Sequence, residues 1–312
     1  MKKVLTIGEA IIDFIPKQKG KGLKDVETFN KKAGGAPANV AGGIAKLGGD
    51  SIFITQVGQD GFGDFLIEEI AKVGVDTTYI NQTPDYDTSL AFVALDESGE
   101  RDFIFFRKHA ADLALDFTNV DIDNIDYDIL HFCSVSLVDS PMKDTHINLI
   151  KHAKEQNKLV SFDPNLRLNL WPDTKSCIDT VNEFIKYSDI LKISDDELEL
   201  IFGTNDVDQV AKELIDNGLS ILIYTMGGAG SRVYTSLGSK EVAGRKVEVV
   251  DTTGAGDSFI AAFLYQLSLV DEFDIDYLEQ ALDFANHYAS ITTTKPGAIE
   301  AMATKEEMEA LR

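Results

Sequence analysis

The sequence has 312 residues, 44% of them hydrophobic, and a formal net charge of −23 at pH 7. This hydrophobic content is sufficient for a packed globular core. The strong negative charge argues against binding to nucleic acid or to an anionic membrane. No apolar run approaches the roughly 20 residues of a membrane helix, and the amino terminus lacks a signal-peptide core. We therefore expect a cytoplasmic protein with reduced cysteines.

Short apolar runs alternate with longer amphipathic runs, which is typical of an α/β fold with a mostly parallel sheet. The predicted strands are Val4–Ile7, Ser51–Val57, Ile129–Phe132, Leu159–Phe162, Ile190–Ile193 and Ile221–Thr225. The predicted helices are Ala38–Leu47, Gly63–Val73, Met142–Gln156, Cys177–Tyr187, Asp195–Phe202, Asp208–Asn217, Ala255–Leu267 and Ile275–Thr292. Because no long linker or repeat interrupts this order, we expect one domain over residues 1–312.

Two regions do not fit the alternation of strands and helices. Thr88–Leu95 and Arg101–Arg107 are predicted to form a hairpin, because turn residues occupy 96–100 between them. Asp25–Lys32 also stands apart. We interpret these regions as a small sheet that forms a lid, with segments at about 14–33 and 86–108, although an ordinary peripheral hairpin is the alternative. The exposed edges of such a sheet could pair in a homodimer.

The segment 251–258 precedes a predicted helix and combines small residues with an acid. Gly254, Ala255 and Gly256 would let backbone N–H groups approach an anion at the positive end of the helix dipole. Asp257, in the first turn, could accept a proton from an alcohol. Asp257 could instead only complement the helix dipole, but glycines on both sides of an alanine at a helix start cost stability and favour the functional interpretation.

Two segments near the amino terminus offer groups that could bind hydroxyls. Asp13 is flanked by apolar residues, so its carboxylate needs solvent or hydrogen-bond donors such as sugar hydroxyls. Gly34 and Gly35 allow close backbone approach, and Asn39 follows in the first turn of a helix. The alternatives are a turn aspartate and a plain loop-to-helix transition.

Further polar residues follow the later strands, where α/β proteins bind ligands. Asn165 and Arg167 could face phosphate oxygens. Glu197 could hold Mg²⁺ through water, and otherwise is an exposed acid in a first helical turn. The glycine-rich segment 225–230 could pass under a nucleotide or be a tight strand connection. It contains neither a Walker A motif nor G-x-G-x-x-G, so a nicotinamide dehydrogenase is poorly supported.

Taken together and in this order, these motifs resemble the ribokinase-like, or PfkB, family of carbohydrate kinases over nearly the whole chain. Residues 34–58 are similar to the amino-terminal signature of the family and residues 251–264 to its carboxyl-terminal signature. Within the family the chain is most similar to fructokinases, through residues 8–14, 34–41, 163–167 and 170–172. The resemblance implies a three-layer α/β/α fold and the Mg²⁺-assisted, ATP-dependent phosphorylation of D-fructose to fructose 6-phosphate.

The resemblance also implies roles for individual residues. Asp257 would be the base, and an anion hole would be formed by Gly254, Ala255 and Gly256, with Arg167 offsetting phosphate charge. The sugar would be held by Asp13, Gly34, Gly35 and Asn39, and Arg107 would reach the acceptor or the phosphate. The nucleotide and Mg²⁺ region would comprise Asn165, Lys192, Ser194, Glu197, Thr225, Gly227, Gly230 and Asn286. Asp251 and Thr253, with the stretch near Gly297, resemble a loop that binds K⁺.

One position departs from the family pattern, and several functions remain open. Ser194 stands where the family often has asparagine in Asn-x-x-Glu, which leaves the role of this position undecided. A related kinase for ribose, a nucleoside or 2-keto-3-deoxygluconate is the nearest alternative. A sugar-binding regulatory protein without catalysis is another.

Overall fold

The computed structural model describes residues 1–18, 20–95 and 101–310, so the predicted hairpin turn at 96–100 lies outside the described residues. The strands, in chain order, are β1 (Val4–Ile7), β2 (Ile11–Pro16), β3 (Phe29–Gly34), β4 (Ser51–Gly58), β5 (Ile80–Thr83), β6 (Leu90–Leu95), β7 (Arg101–Phe106), β8 (Ile129–Cys133), β9 (Leu159–Asp163), β10 (Ile190–Ser194), β11 (Ile221–Thr225), β12 (Gly230–Thr235) and β13 (Gly238–Ala243). The helices are α1 (Ala36–Lys46), α2 (Gly61–Lys72), α3 (Pro141–Glu155), α4 (Thr174–Ile185), α5 (Asp195–Phe202), α6 (Val207–Asp216), α7 (Ala255–Ser268), α8 (Ile275–Thr292) and α9 (Lys305–Ala310).

A nine-stranded, mostly parallel sheet forms the centre of the fold. Its order is β13-β12-β11-β10-β9-β8-β1-β4-β5. The pairs β11–β12 and β12–β13 are antiparallel, and the other pairs described are parallel. Successive residues of a strand point to opposite faces, so Val4 packs in one hydrophobic cluster and Leu5 in another. The cluster of Val4 includes residues of α1, α7, α8 and α9, and the cluster of Leu5 includes residues of α3 to α6. This arrangement confirms the expected three-layer α/β/α fold.

The six predicted strands of this sheet are all present, but three further strands were not predicted. Only the first residue of the short strand β5 is buried, and β13 has only intermediate and exposed residues. Neither segment carries the continuous apolar run that identifies a buried parallel strand. Within the described part of the chain, no helix is long and apolar enough to cross a bilayer.

A separate four-stranded sheet, in the order β3-β2-β6-β7, confirms the small sheet expected from the sequence. β2 pairs antiparallel with β3 and parallel with β6, while β6 and β7 pair antiparallel. On its outer face Phe14 stacks on Phe92 with ring centroids 4.6 Å apart, and Phe29 and Phe106 meet Phe92 edge-on. On the opposite face Asp13 and Val93 point toward the carboxyl ends of the large sheet.

Helices α1 and α7 cross closely because small residues occupy their contact. A Cβ atom added at Gly43 of α1 would lie only 2.7 Å from the Cβ atom of Ala261 in α7. Both helices begin at the same end of the fold, so the close crossing brings their first turns, with Asn39 and Asp257, side by side.

Candidate active site

A cavity of about 650 Å³ lies between the small sheet, the first turns of α1 and α7, and the carboxyl ends of β9 and β10. Twelve of the residues selected from the sequence line it: Asp13, Gly35, Asn39, Asn165, Arg167, Lys192, Asp251, Thr253, Gly254, Ala255, Gly256 and Asp257. The other eight, which do not line it, are Gly34, Arg107, Ser194, Glu197, Thr225, Gly227, Gly230 and Asn286.

The Asp257 carboxylate lies on the cavity wall and is held by two side-chain amides. Asn39 Nδ2 donates to Oδ2 at 2.7 Å and Asn165 Nδ2 donates to Oδ1 at 2.9 Å. Asn165 has a left-handed backbone with φ of 44°, a conformation that asparagine tolerates. Each carboxylate oxygen therefore has a fixed donor, and its remaining lone pairs are left for a ligand.

Burial raises the pKa of Asp257, while the hydrogen bond from Asn39 and the positive charges of Arg167 and Lys192 act in the opposite direction. A carboxylate with a raised pKa accepts a proton more readily than an exposed aspartate. Beside it, Asn39 Oδ1 is buried and has no hydrogen-bond partner among the described residues. A ligand hydroxyl would satisfy this oxygen.

The first turn of α7 presents backbone N–H groups to the cavity. Gly254 adopts φ of 72°, and a Cβ atom there would lie 2.9 Å from the Cβ atom of Ala298. The Ala255 N–H donates to the Thr252 carbonyl at 3.2 Å, which occupies one of the predicted anion-binding amides. The N–H groups of Gly254, Gly256 and Asp257 have no acceptor in residues 1–18, 20–95 and 101–310. These free amides at a helix start suit an anion.

A buried ion pair, of which the sequence predicted only the lysine, forms the floor beneath this turn. Lys192 Nζ lies 3.0 and 2.8 Å from the two oxygens of Asp163. Burial alone would lower the pKa of Lys192, but the carboxylates of Asp163, Glu197 and Asp257 together outweigh burial and raise it. The lysine is therefore an ammonium directly below the α7 amides.

Glu197 is buried rather than exposed, and its carboxylate organises the start of α5. Oε1 accepts the Leu166 N–H at 2.8 Å, and Oε2 accepts the Ser194 N–H at 2.9 Å and the Ser194 hydroxyl at 3.0 Å. Ser194, whose role the sequence left undecided, thus anchors this acid. Because these donors occupy Glu197, a water-mediated contact with Mg²⁺ fits it better than direct ligation. Among the described residues no group of three or more His, Cys, Asp or Glu side chains could hold a metal.

The residues assigned to the nucleotide from the glycine-rich segment lie beyond the cavity. Gly227 and Gly230 form a tight turn between β11 and β12, closed by a 2.8 Å hydrogen bond from the Met226 N–H to the Gly230 carbonyl. Asn286 Nδ2 donates to the Val242 carbonyl at 3.2 Å, the oxygen that a Cβ atom at Gly230 would approach to 2.1 Å. The segment is a strand connection, and its contact with a nucleotide remains a prediction.

Arg107 does not reach the cavity, because its donors are taken by a buried network. Its Nε donates to Asp112 at 3.0 Å, Nη1 to the Val135 carbonyl at 2.9 Å and Nη2 to Ser136 Oγ at 3.1 Å. Ser136 in turn donates to Glu9 at 2.7 Å. Glu9, which the sequence analysis did not select, is 2% exposed and lines the cavity. Its position directly after β1 and Gly8, at the carboxyl end of a strand, was the available signal.

Glycines at the end of β3 make room for the Asp13 carboxylate and for the backbone carbonyl of Glu9. A Cβ atom at Gly34 would lie 2.2 Å from Asp13 Oδ2, and one at Gly35 would lie 2.3 Å from the Glu9 carbonyl. In the predicted K⁺ loop, Asp251 accepts the Thr253 N–H at 2.9 Å and the Gly297 N–H at 3.0 Å. This carboxylate joins the two segments that the resemblance assigned to the cation.

Comparisons with known proteins identify the family of this chain. Residues 1–305 match the pfkB family carbohydrate kinase model. The probable chloroplastic fructokinase-6 of Arabidopsis thaliana is 43% identical over 311 residues, covering 97% of this chain and 80% of that protein. A fructokinase with bound ATP from Xylella fastidiosa is similar with a TM-score of 0.89 and 34% identity, covering 100% of this chain and 98% of that one. A double mutant of the Vibrio cholerae O395 fructokinase, with fructose, ADP and potassium bound, has a TM-score of 0.89 and 33% identity, covering 99% and 98%.

The family match spans nearly the whole chain, and it agrees with a cavity that holds a buried carboxylate beside free amides at a helix start. The chain belongs to the pfkB family of carbohydrate kinases.

Proposed function

We propose that this protein transfers the terminal phosphoryl group of ATP to the primary hydroxyl of D-fructose, giving fructose 6-phosphate. The observation that carries the proposal is the Asp257 carboxylate, fixed by Asn39 and Asn165 beside the free amides of α7. The fructose and ADP in the Vibrio structure and the ATP in the Xylella structure support the choice of substrates.

Sugar binding would use groups of the small sheet and α1. Asp13 faces the cavity from β2, and the unpartnered Asn39 Oδ1 accepts a hydrogen bond from a sugar hydroxyl. These contacts place the primary hydroxyl beside Asp257, which takes its proton as phosphoryl transfer proceeds. Holding both reactants in one geometry supplies a large part of the acceleration in phosphoryl transfer.

Stabilisation of the transferring group would come from fixed positive charge and dipoles in an otherwise acidic protein. Gly254 and Gly256, whose amides are free, line the cavity, and the Lys192 ammonium lies against this turn. Arg167 lines the same cavity and is largely exposed, so its side chain can turn toward the nucleotide phosphates. Preorganised donors of this kind are the main source of catalysis in such sites.

Two cations complete the proposal. Mg²⁺ bound with ATP neutralises charge on the nucleotide phosphates, and Glu197 would contact it through water. Asp251 and Thr253, joined to Gly297, would shape a K⁺ site next to the α7 amides. The potassium in the Vibrio fructokinase structure supports the second assignment.

The small sheet would act as a lid that excludes water during transfer. Its inner residues Ile11, Asp13, Val93 and Phe105 line the cavity opposite α7, which supports the lid over a peripheral hairpin. Its outer face carries Ile104, 47% exposed, and Phe106, 61% exposed, so we also propose a homodimer through this sheet. The cytoplasmic location remains a prediction, because the Arabidopsis relative is named chloroplastic.

The experiment is an ADP-release assay with purified protein, MgATP and a panel of sugars. Fructose should give the highest kcat/KM, ahead of ribose, a nucleoside and 2-keto-3-deoxygluconate. Coupling the product to phosphoglucose isomerase and glucose 6-phosphate dehydrogenase would show phosphorylation at carbon 6. A higher kcat/KM for another acceptor would identify that acceptor, and not fructose, as the substrate. Sugar binding without ADP release would favour a regulatory protein.

A further inference from the structure

The buried pair of Asp163 and Lys192 lies where strand register directs it toward α7. Ile190 and Leu191 of β10 are opposite Ser161 and Phe162 of β9, so the next residues, Lys192 and Asp163, face each other at the strand ends. Alternation along β10 places Lys192 on the same face as Ile190, which packs in the cluster that contains α7. Both charged residues are buried: Lys192 is 5% exposed and Asp163 is 0% exposed.

The ammonium of Lys192 lies against the anion-binding turn. A Cβ atom at Gly256 would be 3.3 Å from Lys192 Nζ. An ammonium at this depth adds a positive field to the free amides of Gly254 and Gly256, and burial reduces the screening of that field by water.

Three carboxylates compete for this one ammonium. Asp163 binds it through both oxygens, while Glu197 and Asp257 act on it electrostatically. The lysine side chain is long and flexible. Without Asp163, the attraction of Glu197 and Asp257 would draw the ammonium away from the amides. Of these two carboxylates, Asp257 is the one that lines the cavity with Lys192.

We propose that Asp163 is a positioning residue, which holds the Lys192 ammonium under the Gly256 amide and keeps it from pairing with the Asp257 base. This inference rests on the proposed kinase function, because it assigns Lys192 to the transferring phosphoryl group. Asp163 itself need touch neither substrate.

The test compares four proteins: the wild type, Asp163→Asn, Lys192→Met and the double variant. Asp163→Asn should lower kcat about 10- to 100-fold, with KM for ATP within about threefold of the wild-type value. If Asp163 acts only through Lys192, adding Asp163→Asn to Lys192→Met should lower kcat no further than about twofold. Asp189→Asn, in the Lys154–Asp189 pair at the opposite end of the same sheet, is the control and should keep kcat within about twofold.

Asp163→Asn turnover within twofold of wild type, or losses that multiply in the double variant, would overturn the proposal. If the single variant does not fold, the double variant still tests the proposal, because a kcat more than about twofold below that of Lys192→Met would overturn it. A crystal structure of Asp163→Asn gives a readout that needs no acceptor. Lys192 Nζ should move to within about 3.2 Å of Asp257, and an unmoved ammonium contradicts the inference. If the fructose assignment alone fails, the kcat comparison remains valid with another acceptor, and the crystallographic comparison needs no acceptor.

Discussion

Gly43 offers a test of whether the crossing of α1 and α7 holds the site together. In Gly43→Ala the new methyl group would meet the Ala261 Cβ atom at 2.7 Å. Two carbon atoms in contact prefer about 3.5–4.0 Å, so the helices must separate by about 1 Å. Overpacking of this kind costs about 1–3 kcal/mol of the free energy of unfolding.

The same separation should weaken the 2.7 Å hydrogen bond from Asn39 to Asp257. Hydrogen bonds to charged groups contribute about 1.5–3 kcal/mol, so losing this one should lower kcat roughly 10- to 100-fold. Urea unfolding would measure the stability change, and steady-state ADP release would measure the change in kcat.

Two variants control this experiment. Adding Ala261→Gly removes the opposing methyl group, so the double variant should recover kcat to within about threefold of wild type even though glycine costs helix stability. Gly61→Ala, at the start of α2, meets no atom within 4 Å, so it should leave kcat unchanged. A Gly43→Ala protein with wild-type kcat and stability would refute the account of the crossing.

Two further predictions concern charged groups. Arg107→Met leaves the Asp112 carboxylate buried without its cation, which should lower the free energy of unfolding by about 3–5 kcal/mol in urea titrations; a loss below 1 kcal/mol would contradict the buried network. The kcat/KM should fall as pH drops through the pKa of Asp257, which burial raises above the ordinary value. Arg167 opposes this increase, so Arg167→Met should move the acidic limb of the pH profile to higher pH, and a shift to lower pH would refute the proposed interaction.

Sequence patterns predicted the central fold because buried parallel strands and amphipathic helices carry strong periodic signals. The strands β5 and β13 lack such a signal. The sequence also identified Asp257 and the turn before it, since both lie in one short motif. The pair of Asp163 and Lys192 depends on the register between β9 and β10, which one sequence does not specify. Arg107 pairs with Asp112 through tertiary packing, which a sequence pattern does not reveal. The sequence analysis therefore assigned Arg107 to the substrate.

The role of Asp257 as the base is tested by the turnover of Asp257→Asn with ATP and fructose. Loss of the base should lower kcat by about 10²–10⁴-fold, while calorimetry still detects fructose binding. Because burial raises the pKa of Asp257, the ionised carboxylate is disfavoured in the fold at pH 7, and the neutral variant should unfold at the same or a higher temperature. A folded Asp257→Asn protein with kcat within tenfold of wild type would show that another group takes the proton.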